Sequence, residues 1–277
     1  MNPPIYLISV LPGVAVWLIS GHSHSEIKPA LGLLIAATVA VTLIQHAVNL
    51  FNDAKDWQLG ADTEKYDSWV RVHDEAPRVA IWHGTIALIL GSVLGLTVLV
   101  SAGQLWVLSF TLPLFFLGLG YNAGKRPLSY SAWGEWVTGV CYGPGVFGGL
   151  WFAAGLPFEA IPLGLGMFTF AALATALLLS HQPPQIDTDR AAGKHTFAVR
   201  HGAPAARRAA TRLHVASLIS MTAAMGFAHD APLITLAFAV FGLLAIMAVG
   251  CPGANPKRIL LSSTTLYVVV SGIALLV

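Results

Sequence analysis

Charge is what this chain has least of. Asp, Glu, Lys and Arg together make up 10% of its 277 residues, against 56% hydrophobic residues, where a soluble domain carries roughly 25% charge. That shortage excludes an ordinary water-soluble domain and points to an integral membrane protein. The net charge of +2 is small and its basic residues are scattered over connections; without a basic block, a nucleic-acid partner is excluded. Cysteine is nearly absent: Cys141 and Cys251 are too far apart to frame a fold with disulfides, and neither has a metal-ligand spacing. No internal repeat, low-complexity tract or linker divides the sequence, so a single transmembrane domain over residues 1–277 is expected. The first apolar stretch has neither a basic leader nor a small-x-small cleavage site and is expected to be retained.

Apolar sequence is what the chain has most of. Segments near the length needed to cross a bilayer run over 5–20, 31–52, 79–101, 105–121, 133–155, 158–180, 210–228, 231–249 and 259–277, which predicts nine membrane helices. Very short connections at 102–104 and 229–230 predict antiparallel hairpins. Every Lys and Arg except Lys28 falls in the loops after the second, fourth, sixth and eighth of these helices. Such a bias places those loops and the N-terminus in the cytoplasm. All the acids except Glu26, Glu159 and Asp230 share that side. Acids do not set topology, so their gathering there calls for a functional explanation at one membrane face.

Three polar stretches carry the chemistry. In the first, Gln45 to Asp62, continuation of the second helix would put Gln45, Asn49, Asn52, Asp53 and Asp56 at i, i+4, i+7, i+8 and i+11, on one face. Amides and carboxylates converging at a membrane helix end suit Mg²⁺, which takes one or two carboxylates and completes its shell with substrate phosphates. A simply solvated helix end is the competing explanation. In the second stretch, 121–135, Tyr121 and Lys125 stand four apart at a cytoplasmic helix end, where a phenol and an ammonium could face one pocket, although the residues alone favour a positive-inside anchor with an interfacial Tyr. Glu135 opens the next helix, where the helix dipole also favours an acid. The third stretch runs from His181 to Gly202 and again follows an even-numbered helix.

These stretches resemble the motifs of the UbiA superfamily of membrane prenyltransferases. Asn52-Asp53-x-x-Asp56 with Gly60-x-Asp62 resembles its first aspartate-rich motif, and the Gly-x-Asp ending is most similar to the menaquinone-pathway, 1,4-dihydroxy-2-naphthoate polyprenyltransferase branch. Tyr121-x-x-x-Lys125-Arg126 resembles the diphosphate-binding loop, and Pro127-Leu128-x-Tyr130 with Gly134-Glu135 is similar to the same branch. Asp187-Thr-Asp189-Arg190-Ala-Ala-Gly-Lys194-x-Thr196-x-Ala-Val-Arg200-x-Gly202 resembles the second motif over sixteen positions. One departure stands out. The family's second motif is Asp-x-x-x-Asp preceded by paired Asn, whereas here Gln185 holds the first Asp position and His181-Gln182 the Asn pair, with Pro183-Pro184 between. An amide is a weaker Mg²⁺ ligand, so Asp187 is the candidate substitute; two-residue spacing does not share a helix face, but an irregular backbone after Pro-Pro could bring both Asp187 and Asp189 to the ion. His181 is expected to be a polar wall residue, since Mg²⁺ disfavours imidazole.

The resemblance implies an all-helical, nine-span UbiA-type bundle with a central cavity capped on the cytoplasmic side. Mg²⁺ would be held by Asn52, Asp53, Asp56, Asp62, Asp187 and Asp189 against the diphosphate of a polyprenyl donor. Gln45, Asn49, Tyr121, Arg126, Gln185, Arg190 and Lys194 would contact substrate, and Lys125 joins Asn52, Asp56 and Asp189 as catalytic. Charge on the leaving group eases C–O cleavage, and an apolar chamber lined by Trp, Phe and Tyr shelters the allylic cation for attack by an aromatic quinone precursor. The base for that step stays open among Gln45, Asn49 and Glu135, of which only Glu135 is ionisable. The long 53–78 loop reads as a cap over the site or as a solvated loop anchored by Trp57 and Trp69. His22-x-His24 is a weak metal spacing in the outward loop. Two further readings are a terpene cyclase on the same fold, without acceptor, and a non-catalytic membrane carrier.

Overall fold

The computed structural model describes residues 3–20, 28–61, 68–125, 127–229, 231–250 and 255–277. Asp62, Tyr66-Asp67, Arg126 and the His22-x-His24 pair lie outside the described residues. Every regular element among those described is helical. The longer helices are α1 (Leu7–Ser20), α2 (Leu31–Leu59), α4 (Pro77–Ser101), α5 (Leu108–Gly120), α8 (Ala160–His181), α11 (Ala203–Ala228), α12 (Pro232–Val249) and α13 (Pro256–Ala274). Four helical stretches, beginning at Leu31, Pro77, Ala160 and Pro232, are long and apolar enough to cross a membrane; Leu7–Ser20 and Leu105–Gly120 are shorter apolar stretches.

The second helix does continue through the polar cluster. It ends at Gly60, whose φ of 78° lets the Gly60 and Ala61 N–H groups turn back onto the carbonyls of Trp57 and Asp56, the usual left-handed glycine stop. The 133–155 segment is less regular than its apolar pattern suggests. It forms α6 (Gly134–Val140), a π-helical segment (Cys141–Gly148) and α7 (Gly149–Ala153) in succession. Pro144 sits inside the π-helical segment, and without an N–H it cannot make the regular bond to the carbonyl four residues back. This widened turn packs hard on α8: a Cβ on Gly143 would come within 2.5 Å of the Met167 carbonyl oxygen. Small residues let helices approach this closely where packing, not hydrophobicity, drives association.

A main core gathers side chains from α1, α7, α8 and α11–α13, with Phe147, Trp151, Phe170 and Tyr267 fully buried. Outward faces are apolar instead of polar: Trp82, Ile86, Ile89 and Val93 of α4 are all exposed. Such an apolar exterior around polar interior side chains suits a lipid solvent. A satellite cluster joins Leu50 and Ala54 of α2 and Ala80 of α4 to Trp69 and Val70 of the short helix α3 (Trp69–Val72). There the His73 ring stacks on Trp69 at 3.6 Å.

Candidate active site

Gln45, Asn49, Asn52 and Asp56 of α2 line a cavity of about 740 Å³, enclosed with α4, α5, the α6–α7 segment and α8. At 100° per residue these four side chains fall within about 60° of one another, while Asp53 lies about 70° from their centre. The offset takes Asp53 out of the cavity lining. Its carboxylate accepts the Trp69 N–H and the Ser68 hydroxyl instead, fastening the start of α3. No described residue between 57 and 90 lines the cavity, so the described part of the 53–78 loop packs beside α2 and α4 and does not roof the site.

Asp56 is 3% exposed. Its Oδ1 accepts the Tyr130 hydroxyl at 2.8 Å, and its Oδ2 pairs with Lys194 Nζ at 3.1 Å. The same Nζ lies 3.5 Å from Oδ1 of buried Asp189 and 4.8 Å from the centroid of the Tyr130 ring. Buried charges persist only when paired; here two carboxylates far apart in sequence share one ammonium at the cavity wall.

Local sequence explains how Asp189 arrives there. Pro183 and Pro184 convert the end of α8 into a 3₁₀ turn (Pro183–Gln185), and the chain restarts as α9 (Ile186–Ala191). Residues two apart on a helix point in opposed directions. Asp189 therefore turns inward while Asp187 turns to solvent, its side chain 98% exposed and paired with Arg190 at 3.3 Å. The 3₁₀ turn at Pro-Pro leads straight into this regular helix, so the two acids are not brought to one ion. Gly193, at φ 75°, reverses the chain so that the Lys194 N–H reaches the Asp189 carbonyl at 2.8 Å. Thr196 then donates to Asp189 Oδ2 at 3.4 Å and caps α10 (Phe197–His201).

Of the remaining expected residues, Tyr121, Gln185 and His181 line the cavity, while Lys125 and Arg190 are exposed and do not. Gln45 is tied to the N-terminal segment: Ser9 donates to its Oε1 at 2.6 Å and its Nε2 donates to the Ile5 carbonyl. Phe115, Tyr121 and Tyr142 form the aromatic wall, and no described Trp joins them. Four partners are set by the fold and not by local spacing. Tyr130 and Thr196 hold the aspartates; Asn122 accepts from Asn52 at 2.9 Å; Gln182 bridges Glu135 and the Ala198 N–H at 2.9 and 3.1 Å. Tyr130 and Thr196 are fixed positions of the motifs, and Gln182 is a departure from one.

A model of the UbiA prenyltransferase family matches residues 6–258. The chain belongs to that family. This UbiA enzyme is 30% identical over 241 residues to the 2-carboxy-1,4-naphthoquinone phytyltransferase of Synechocystis, covering 85% of this chain and 75% of that protein. It is 27% identical over 217 residues to the 1,4-dihydroxy-2-naphthoate octaprenyltransferase of Mycobacterium tuberculosis, covering 78% and 69%. The resemblance to the menaquinone-pathway branch is thus borne out, and the chain is a membrane-integral prenyltransferase. Its fold matches a UbiA homolog from Aeropyrum pernix with a TM-score of 0.69 at 17% identity, over 100% of this chain and 98% of that one. It also matches a UbiA homolog from Archaeoglobus fulgidus bound to GPP and Mg²⁺, with a TM-score of 0.67 at 14% identity, over 98% and 94%.

Proposed function

We propose that this UbiA enzyme transfers an isoprenyl group from a polyprenyl diphosphate to an aromatic quinone precursor, with Mg²⁺ at the diphosphate. The observation that carries the proposal is the meeting of Asp56, Asp189 and Lys194 at the wall of an apolar cavity large enough for a prenyl chain and a ring. Two carboxylates beside the carboxamides of Asn52 and Gln185 form a hard-oxygen set that fits Mg²⁺ completed by phosphate oxygens. Asp56 and Asp189 would hold the ion, with Asn52 and, by resemblance, Asp62 as further ligands. Bound there, Mg²⁺ would supply positive charge to the leaving diphosphate.

The chain's own residues do the rest. Lys194 neutralises diphosphate oxygens, with Lys125, Arg126 and Arg190 as outer counter-charges. Asn49, Gln45, Tyr121 and Gln185 shape the donor's seat. Phe115, Tyr121 and Tyr142 face the allylic cation, and the apolar wall keeps water from it. In this reading the chain is one nine-span domain in the cytoplasmic membrane, with the even-numbered connections and the site on the cytoplasmic face.

The test is detergent-solubilised protein with Mg²⁺ and geranyl, farnesyl or geranylgeranyl diphosphate, with and without 1,4-dihydroxy-2-naphthoate, following pyrophosphate release and identifying products by mass spectrometry. Acceptor-dependent release with a prenylated aromatic is expected. Release without acceptor and a cyclic product would make the protein a cyclase, and no release with any donor would remove the enzymatic reading of this site.

A further inference from the structure

One carboxylate in the cavity wall has no part in holding the diphosphate. Glu135, in the first turn of α6, is 8% exposed and lines the cavity. Its two oxygens are used differently. Oε1 accepts the Gln182 amide at 2.9 Å and the Phe197 N–H at 2.7 Å. Oε2 is buried without a hydrogen bond, its nearest cation being Arg200 Nη2 at 3.9 Å. Two N–H donors on Oε1 leave Oε2 as the atom able to take a proton. A buried acceptor without a protein partner costs free energy, so each such group calls for a partner such as a ligand, an ion, a water or a reacting proton.

A second unsatisfied atom accompanies it. Ser129 Oγ is buried, lines the same cavity and also makes no hydrogen bond. The two residues belong to one small patch. A Cβ on Gly134, the neighbour of Glu135, would lie 3.5 Å from Ser129 Cα and 3.7 Å from the Tyr121 ring. The patch is also joined to the aspartate site through consecutive residues, because Thr196 donates to Asp189 while the next N–H, of Phe197, donates to Glu135. An acceptor-only oxygen and a hydroxyl in the same patch of cavity wall match a hydroxylated aromatic whose ring hydroxyl donates to the first while a neighbouring oxygen takes the proton of the second.

We infer that Glu135 is the general base for the acceptor and that Ser129 orients the ring beside it; this rests on the transferase reading above. The hydroxyl proton of the acceptor passes to Glu135 Oε2 as the oxygen lone pair drives the ring carbon onto C1 of the allylic cation. A C–C bond forms, and the C–O bond to diphosphate has broken with its electron pair on the diphosphate. The ring ketone then loses the proton on the attacked carbon to pyrophosphate, or carbon dioxide where that carbon bears a carboxylate. The electrons restore aromaticity, and Glu135 returns its proton to the ring oxygen.

Glu135→Gln separates this role from a purely structural one, because the carboxamide oxygen still accepts from Gln182 and Phe197. The thermal midpoint should stay near that of the parent, and Mg²⁺-dependent pyrophosphate release should stay within about threefold. Prenylated aromatic should fall by about 100-fold or more, the ordinary span for losing a general base, with the prenyl alcohol appearing in its place. A folded variant that keeps the parent's ratio of prenylated ring to alcohol overturns the inference. Ser129→Ala carries the test if that variant fails to fold: acceptor KM should rise about tenfold with kcat within threefold, and an unchanged KM overturns the inference by itself. Absence of acceptor-dependent product in the parent would instead sink the transferase reading.

Discussion

The two buried aspartates of the site reach it by different routes. Asp56 sits on one unbroken helix of 29 residues, placed by the helical period together with Asn49 and Asn52. Asp189 sits on a helix of six residues between a Pro-Pro turn and a left-handed glycine, and is held by bonds to Thr196 and Lys194. The first route needs only its own periodicity; the second borrows Glu135 from α6 and Tyr130 from the preceding connection to hold its backbone. Chemistry and stability should therefore come apart in the first half of the site and travel together in the second.

Removing Asp56 should give the largest effect. Asp56→Ala is expected to lower Mg²⁺-dependent pyrophosphate release by about 100-fold or more, as loss of a charge-stabilising group does, while circular dichroism keeps the parent's helix content. Near-parent activity would take the α2 stripe out of the mechanism. Gln182→Ala should act through structure, leaving the Ala198 N–H and Glu135 Oε1 each one partner short at about 1–3 kcal/mol. The expected signs are a lower thermal midpoint and protease cleavage near residues 192–202, and an unchanged melt would mean that the second half stands alone as well as the first. Gln185→Asp sharpens the contrast in charge: it should raise pyrophosphate release a few-fold, and an unchanged or lower rate would mean that Gln185 serves this enzyme's own substrate. Asp187→Ala should change Mg²⁺ dependence least, by less than about twofold as for other exposed positions. A larger change would make Asp187 a ligand.

The same contrast explains what could be read before folding. Membrane helices, the α2 stripe and the resemblance to prenyltransferases follow from composition, period and motif, all local properties of the chain. Helical spacing alone tolerates the offset of Asp53 and puts it on the stripe; what draws it away is α3, sixteen residues on in sequence, whose N–H it accepts. Pro-Pro hides the path of the backbone from the sequence and so admits Asp187 as a ligand, whereas a regular turn of α9 sets it opposite Asp189. Tyr130 and Gln182 act across 74 and 47 residues respectively, a distance that no local pattern encodes. The π-helical turn is likewise hidden in a segment whose apolar pattern is continuous.

The bond between Lys194 and Asp56 spans 138 residues of sequence, which gives the site a history as well as a geometry. Ribosomes add about 5–20 residues per second, so in a growing chain Asp56 precedes its ammonium partner by roughly 7–28 seconds. For that interval the Asp56 carboxylate is without its ammonium partner. The site thus closes only once the chain has been made through Lys194, after the helices around the cavity.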